Sequence, residues 1–316
     1  MFSQINFQKK HVLLLSALVT TGVAASVVVP SVYSQSRATV KIDGSSTVYP
    51  ITEAVAEEFQ NKKRGSVRVT VGVSGTGGGF KKFCSKNPAV RTDISNASRP
   101  IKDKEKAMCA AAGVKFVAIP VAYDAITVVV HKSNPVTSMT TAQLKKMWEP
   151  GAKGKMTKWN QVNSSWPNAP LVLYGPGADS GTFDYFTKAI NGKSGASRTD
   201  FTPSEDDNVL VQGVASNRSA TAYFGYTYYQ ENKDKLKAVA INGVQPSEKT
   251  VRDGSYKPLS RPIFIYVNVN AAKSNPAVKE FVNYYLDNAN RLVKAVKSVP
   301  RTDYQASKRN FMNAAK

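Results

Sequence analysis

From Thr39 onward the chain alternates two kinds of short segment. ATVKID and VRVTVGV have the β-branched, alternating pattern of strands, and TEAVAEEFQNK and FKKFCSK have the spacing of amphipathic helices. The run VKFVAIPVAYDAITVVVH follows, β-rich, with Pro120 near its middle. It is too long for one ordinary strand, so it reads as two strands or as a segment crossing between lobes. A second αβ series occupies residues 140–259, with a short helix at 141–147 and a turn-rich loop at 148–170. Another β-rich run, RPIFIYVNVN, precedes a helical C-terminus around PAVKEFVNYYLDNANRLVKAV. Two crossing runs flanking a central segment predict an α/β protein of two lobes. The first lobe takes both ends of the chain, 37–124 with 264–316, and the second takes 125–263. No internal repeat or low-complexity segment interrupts this pattern.

The N-terminus departs from it. MFSQINFQKKH is basic, VLLLSALVTTGVAASVVVP is apolar, and no acid occurs before Asp43. Residues 1–36 therefore read as a secretory signal peptide cleaved between positions 25 and 37. The alternative is an uncleaved anchor, since the apolar run at 12–29 is near the lower limit for spanning a bilayer. Either way the protein is exported, with a periplasmic location expected. No cysteine lies nearby to carry a lipid. The two cysteines, Cys84 and Cys109, are then most simply a disulfide; two unrelated buried thiols are the alternative. With one histidine beyond residue 36, His131, they do not compose a usual zinc site. No metal and no cofactor are expected.

A length of 316 residues allows two lobes with real cores, and the formal charge of +21 asks for an anionic partner. Loss of Lys9 and Lys10 with the leader leaves +19. The lysines are scattered, without a basic helix or aromatic ladder, which argues against a nucleic-acid groove.

Three stretches narrow the choice of anion. IDGSSTVYPITEAVAEEF carries Ser45, Ser46 and Thr47 behind a strand, and Ile51, Val55 and Phe59 share the face of the next helix. VRVTVGVSGTGGGFKKF sets Ser74, Gly75 and Thr76 in a glycine-rich turn, with a helix expected from about Phe80. LYGPGADSGTFDYF places Asp179, Ser180, Gly181 and Thr182 before a helix whose apolar face is Phe183, Phe186 and Ile190. All three read strand, turn of small hydroxyls and glycines, helix N-terminus. The first turn of a helix offers unpaired N–H groups and the positive end of its dipole. Hydroxyls add short donors, and glycine admits close backbone approach. One such turn is an ordinary helix cap. Three together in a basic chain point to a small tetrahedral oxyanion. Nucleotide fingerprints and the GxSxG elbow all fail on spacing, and a Ser–His–Asp triad has only His131 to use.

The ordered segments GSSTVYPI, GVSGTGGGF, SNASRPI, YGPGADSGTFDYF and YFGYTYY resemble the phosphate-binding proteins of bacterial high-affinity phosphate ABC transporters, and the cyanobacterial members most of all. The resemblance covers about residues 38–312. It implies a type II periplasmic-binding-protein fold: two α/β lobes joined by two crossing segments, with dehydrated phosphate clamped in the cleft between them. It also implies the ligand turns, namely Ser46, Thr47 and Val48, then Ser74, Gly75 and Thr76, then Ser180, Gly181 and Thr182. Two positions depart from well-studied members. Arg99 stands where they carry an acid, and Pro176 where they carry an arginine. The charges look exchanged, so Arg99 is expected as the ligand's cation and Asp179 as the acid that accepts the proton of hydrogen phosphate. That acid would repel sulfate, which has no proton to share.

The resulting expectation is a monomeric, non-enzymatic phosphate receptor that delivers its ligand to an ABC permease in the inner membrane. Its competitors are a receptor for sulfate or molybdate, a secreted phosphoesterase or acyl hydrolase using Ser74 or Ser180, and a basic adhesion protein.

Overall fold

The computed structural model describes residues 37–316, so the expected leader, 1–36, lies outside the described residues. The N-terminal part runs β1 (Ala38–Gly44), α1 (Tyr49–Lys62), β2 (Val67–Val71), α2 (Gly75–Phe83), β3 (Ile94–Ala97), α3 (Asp103–Ala111) and β4 (Phe116–His131). The middle contains β5 (Ser138–Met139), α4 (Thr141–Trp148), α5 (Trp159–Val162), β6 (Val172–Pro176), α6 (Gly181–Asn191), β7 (Thr202–Ser204), α7 (Asp207–Ala215), β8 (Ala220–Gly225), α8 (Tyr226–Glu231), β9 (Leu236–Ala238), β10 (Ala240–Ile241) and α9 (Glu248–Arg252). β11 (Ser260–Asn268), α10 (Val269–Ser274), α11 (Pro276–Ala295), β12 (Val299–Pro300) and α12 (Tyr304–Ala314) complete it. Among the described residues no helix is long and apolar enough to cross a membrane.

One continuous sheet carries the order β2-β1-β3-β11-β4-β8-β6-β7, with β9 and β12 also paired to β4. β1 is parallel to β2 and β3, while β11 runs antiparallel to β3 and β4. The long β-rich run is one strand that changes partners. Up to Ala125 it pairs with β11, and from Ile126 it pairs with β8. Its register shifts opposite Ile263 and Phe264, beside Pro120, whose missing N–H leaves a gap in the ladder. A strand of this length is legible as a crossing because each half obeys the burial of a different core.

Those cores are separate. The first gathers Val40, Ile42, Ile51, Val55 and Phe59 with Ile263, Val267, Phe281 and Tyr285. The four-residue spacing on α1 explains why this face turns inward. The second gathers Ile126, Val128, Trp148, Phe186 and Tyr223, where Phe186 stacks on Tyr223 at a centroid distance of 3.7 Å. Cys84 and Cys109 are bonded, tying the end of α2 to α3 over Phe80, Phe83 and Tyr266.

The second helix differs from the sequence expectation. It begins at Gly75 rather than near Phe80, so the glycine run forms about its first turn and a half. Glycine is a poor helix former, and local propensity therefore moves the expected start too late. Packing overrides propensity here. A Cβ on Gly79 would stand 2.6 Å from the Cα of Gly44, and one on Gly77 would stand 3.1 Å from the Asp179 carboxylate.

Candidate functional site

The three hydroxyl turns follow the carboxyl ends of β1, β2 and β6, the usual location of ligands on α/β sheets. Neither α1 nor α2 has its first-turn N–H groups bonded by the side chain of its N-cap residue, Val48 and Ser74 respectively. Ser180 does cap α6, accepting from the backbone N–H of Thr182 at 3.1 Å and of Phe183 at 3.4 Å. Two helix ends thus point their positive poles into the site without a side-chain cap.

The turns meet through hydroxyls. Thr47 Oγ1 lies 3.1 Å from Thr182 Oγ1, joining the first turn to the third. Thr76 Oγ1 lies 3.2 Å from Ser98 Oγ and accepts from the Ser98 backbone N–H at 3.1 Å. Gly181 brings the two pairs together, because a Cβ there would sit 2.4 Å from Thr76 Oγ1 and 2.5 Å from Ser98 Oγ. All four hydroxyl residues are buried. Four buried hydroxyls gathered at one point, each with hydrogen-bonding capacity to spare beyond its present partners, fit a polar occupant better than a packing role.

A cation completes the cluster. Arg261 donates from Nη2 to Thr182 Oγ1 at 2.7 Å and from Nη1 to the carbonyl of Gly181 at 3.1 Å. Its Nε and Nη2 also reach Asp124 Oδ2, at 3.1 and 3.0 Å, and both residues are buried. Asp124 Oδ1 accepts from the backbone N–H of Tyr226 at 3.0 Å. Burial pushes the Asp124 carboxyl up, against the opposing pull of Arg261. Nearby Asp207 is pushed up to about 7 by burial and by the charge of Asp124.

Arg261 is the residue that sequence reasoning misses. In the sequence it is only the first residue of the β-rich crossing run RPIFIYVNVN, although a charge at the head of an apolar strand is a usable signal. Ser98 likewise escapes notice beside its neighbour Arg99.

The two exchanged charges take other partners. Arg99 gives Nε to Asp184 at 2.8 Å, Nη1 to Glu105 at 2.8 Å and to the carbonyl of Pro100 at 3.1 Å, and Nη2 to Glu105 at 2.8 Å. Four of its five donors are thereby engaged away from the hydroxyl cluster. Asp179 turns its carboxylate onto Lys81, at 2.8 and 2.9 Å, with its side chain 43% exposed. Only its backbone carbonyl faces inward, accepting from the N–H of Gly77 at 2.7 Å. Ser74 donates to Asp43 instead of joining the other hydroxyls. Gly75, at φ +72°, packs against the carbonyl of Asp179, a conformation and a spacing that favour glycine. The Ser46 carbonyl accepts from Tyr228 Oη at 3.1 Å, and Val48 lies in the first core. The structure therefore brings together Thr47, Thr76, Ser180, Gly181 and Thr182, and gives Arg99, Asp179 and Ser74 different work.

A family model, the PBP superfamily domain, matches residues 31–289. The chain belongs to this superfamily. Among its relatives, Protein SphX of Synechococcus elongatus is 55% identical over 272 residues, covering 84% of this chain and 79% of that protein. Phosphate-binding protein PstS of Staphylococcus saprophyticus is 39% identical over 84% of this chain and 82% of its own length. A solved structure from Clostridium perfringens, a putative phosphate ABC transporter substrate-binding protein with bound phosphate, is 29% identical. It covers 84% of this chain and 100% of its own, with a TM-score of 0.70. The architecture is accordingly the type II periplasmic-binding-protein fold, two α/β lobes joined by crossing segments, here β4 and β11.

Proposed function

We propose that the protein is an exported receptor that captures inorganic phosphate and hands it to an ABC-type permease of the inner membrane. The observation that carries this reading is the meeting of four buried hydroxyls and a buried arginine at Gly181. A tetrahedral oxyanion takes hydrogen bonds from several directions at once. Thr47, Thr76, Ser98 and Thr182 would exchange their mutual bonds for ligand oxygens, with helix N-termini and Arg261 balancing the charge. The names of the relatives, SphX and phosphate-binding protein PstS, and the phosphate in the Clostridium structure support the same ligand.

Arg261 replaces Arg99 as the ligand's cation in this reading. Asp124, bonded to Arg261 and flanking Gly225 opposite the methyl of Thr47, replaces Asp179 as the acceptor of the phosphate proton. Lobe 1 comprises 37–124 and 264–316, and lobe 2 comprises 125–263, a division supported by the change of β4 partner after Ala125. The receptor acts as a monomer in the periplasm and performs no catalysis. Supporting the last point, Ser74 is bonded to Asp43, Ser180 is a helix cap, and His131 is bonded to Ser133 rather than to either.

Calorimetry on residues 37–316 with phosphate, arsenate and sulfate tests the proposal. Saturable binding of phosphate and arsenate, with sulfate at least a hundredfold weaker, is the expected result. Equal or tighter sulfate binding would replace phosphate by another oxyanion, and no binding of any of the three would refute the receptor reading.

A further inference from the structure

Beside the hydroxyl cluster, α2 and α3 of the first lobe face the turn and helix α6 of the second across a cavity of about 240 Å³. Its walls carry charges of both signs, arranged in pairs that span the lobes. Lys81 of α2 holds Asp179, and Lys102 and Arg99 hold Asp184 of α6, at 2.7 and 2.8 Å. The pairs are graded in depth: the Lys81 and Asp179 side chains are 65% and 43% exposed, whereas Asp184 is 9% exposed. None of these groups bonds to the hydroxyl cluster, so the ligand-binding chemistry does not explain them.

We propose that these ion pairs form an electrostatic latch across the mouth of the cleft, which sets how fast bound phosphate is released. The proposal rests on the phosphate-receptor reading and adds residues that never touch the ligand. Release requires the lobes to part, and parting separates each cation from its acid. Asp184 is the strong member, since it is largely buried and takes three donors: Arg99, Lys102 and Ser194. Lys81 and Asp179 are the weak, salt-sensitive member, being half in water. Because both sides are protein groups, the latch slows opening whether or not it attracts phosphate.

Stopped-flow measurement of phosphate release and capture, at low and high sodium chloride, tests this. In the wild type the release rate should rise with salt. Lys81→Gln and Asp179→Asn should each speed release roughly two- to fivefold at low salt and flatten its salt dependence. The charge-reversed double variant, Lys81→Asp with Asp179→Lys, should recover slow release, and Asp184→Asn should show the largest acceleration. A role in steering predicts a different pattern: removing the cation slows capture, removing the acid speeds it, and release stays fixed. That pattern, or release rates unaffected by all variants, would overturn the latch. Should the wild type bind no phosphate, the receptor reading fails on its own. The latch would then be judged by small-angle scattering of the unliganded chain. Its radius of gyration should grow with salt and in Lys81→Gln, and an unchanged radius would overturn it.

Discussion

Arg261 and Arg99 are both buried, both paired with carboxylates, and both reach the first two turns of α6, yet they meet it at different places. Arg261 approaches from the crossing strand β11 and touches Gly181 and Thr182, where the hydroxyls converge. Arg99 leaves the end of β3, is held by Glu105 of α3, and touches Asp184 two positions further along. The same side chain therefore does two jobs. In the proposed reading Arg261 supplies charge to the ligand position, whereas Arg99 supplies charge to a buried protein carboxylate of α6. Burial and pairing alone do not identify a binding arginine; the identity of the remaining acceptors does.

The comparison breaks most sharply on phosphate affinity. Arg261→Ala should weaken binding by about 2 to 5 kcal/mol, the usual effect of deleting one member of a buried charge pair, and Arg261→Lys should retain only part of the affinity because an ammonium lacks the fork. Arg99→Ala should cost about 3 to 5 kcal/mol of fold stability, because Glu105 loses its cation and Asp184 keeps only Lys102 and Ser194, while affinity falls less than tenfold. Titration calorimetry and chemical denaturation on these variants check the pair. Equal losses of affinity in the two alanine variants would erase the distinction.

Specificity is the next test. Asp124→Asn should relax the preference for phosphate over sulfate by tenfold or more, about 1.4 kcal/mol. Asp179→Asn should leave that ratio unchanged, because its carboxylate faces Lys81 and solvent. Competition binding with sulfate gives both numbers, and a relaxed ratio in Asp179→Asn alone would return that residue to the ligand.

The smallest expected difference is in pH dependence, where the two arginines have acids of opposite behaviour. Burial raises the Asp184 carboxyl, but hydrogen bonds from Lys102 and Ser194 and the charge of Arg99 carry it below the ordinary range. Its stabilising contribution is present above the ordinary carboxyl pKa, about 4, and is lost as pH falls below that. Asp207, near Arg261 and Asp124, sits at about 7. Its contribution is complete below about pH 4 and is lost as pH rises through 7. Denaturation midpoints across pH should therefore lose their decline between about pH 4 and 7 in Asp207→Asn, and their acid limb in Asp184→Asn. Unchanged slopes in both variants would contradict these assignments.

Much of this is legible in the sequence, and the reason is locality. Each hydroxyl turn lies within a few residues of its strand and its helix, so periodicity and glycine content expose it. The apolar faces of α1 and α6 likewise follow from spacing alone, as Ile51, Val55 and Phe59 and then Phe183, Phe186 and Ile190 are all buried. What the sequence hides is long-range pairing. Arg261 meets Thr182 across 79 residues, and Arg99 meets Asp184 across 85. Nothing in the spacing of either arginine says which one closes on the hydroxyls. The glycine run of α2 misleads for the same reason, since its helical state depends on Gly44 and Asp179, which are distant in sequence.

A crystal structure of residues 37–316 with phosphate bound tests the central claim most directly. Phosphate oxygens should lie within hydrogen-bonding distance of Arg261 and of the hydroxyls of Thr47, Thr76, Ser98 and Thr182, with Arg99 still held by Glu105 and Asp184. Phosphate seated against Arg99 and Lys102, with Arg261 making no contact to it, would contradict the account.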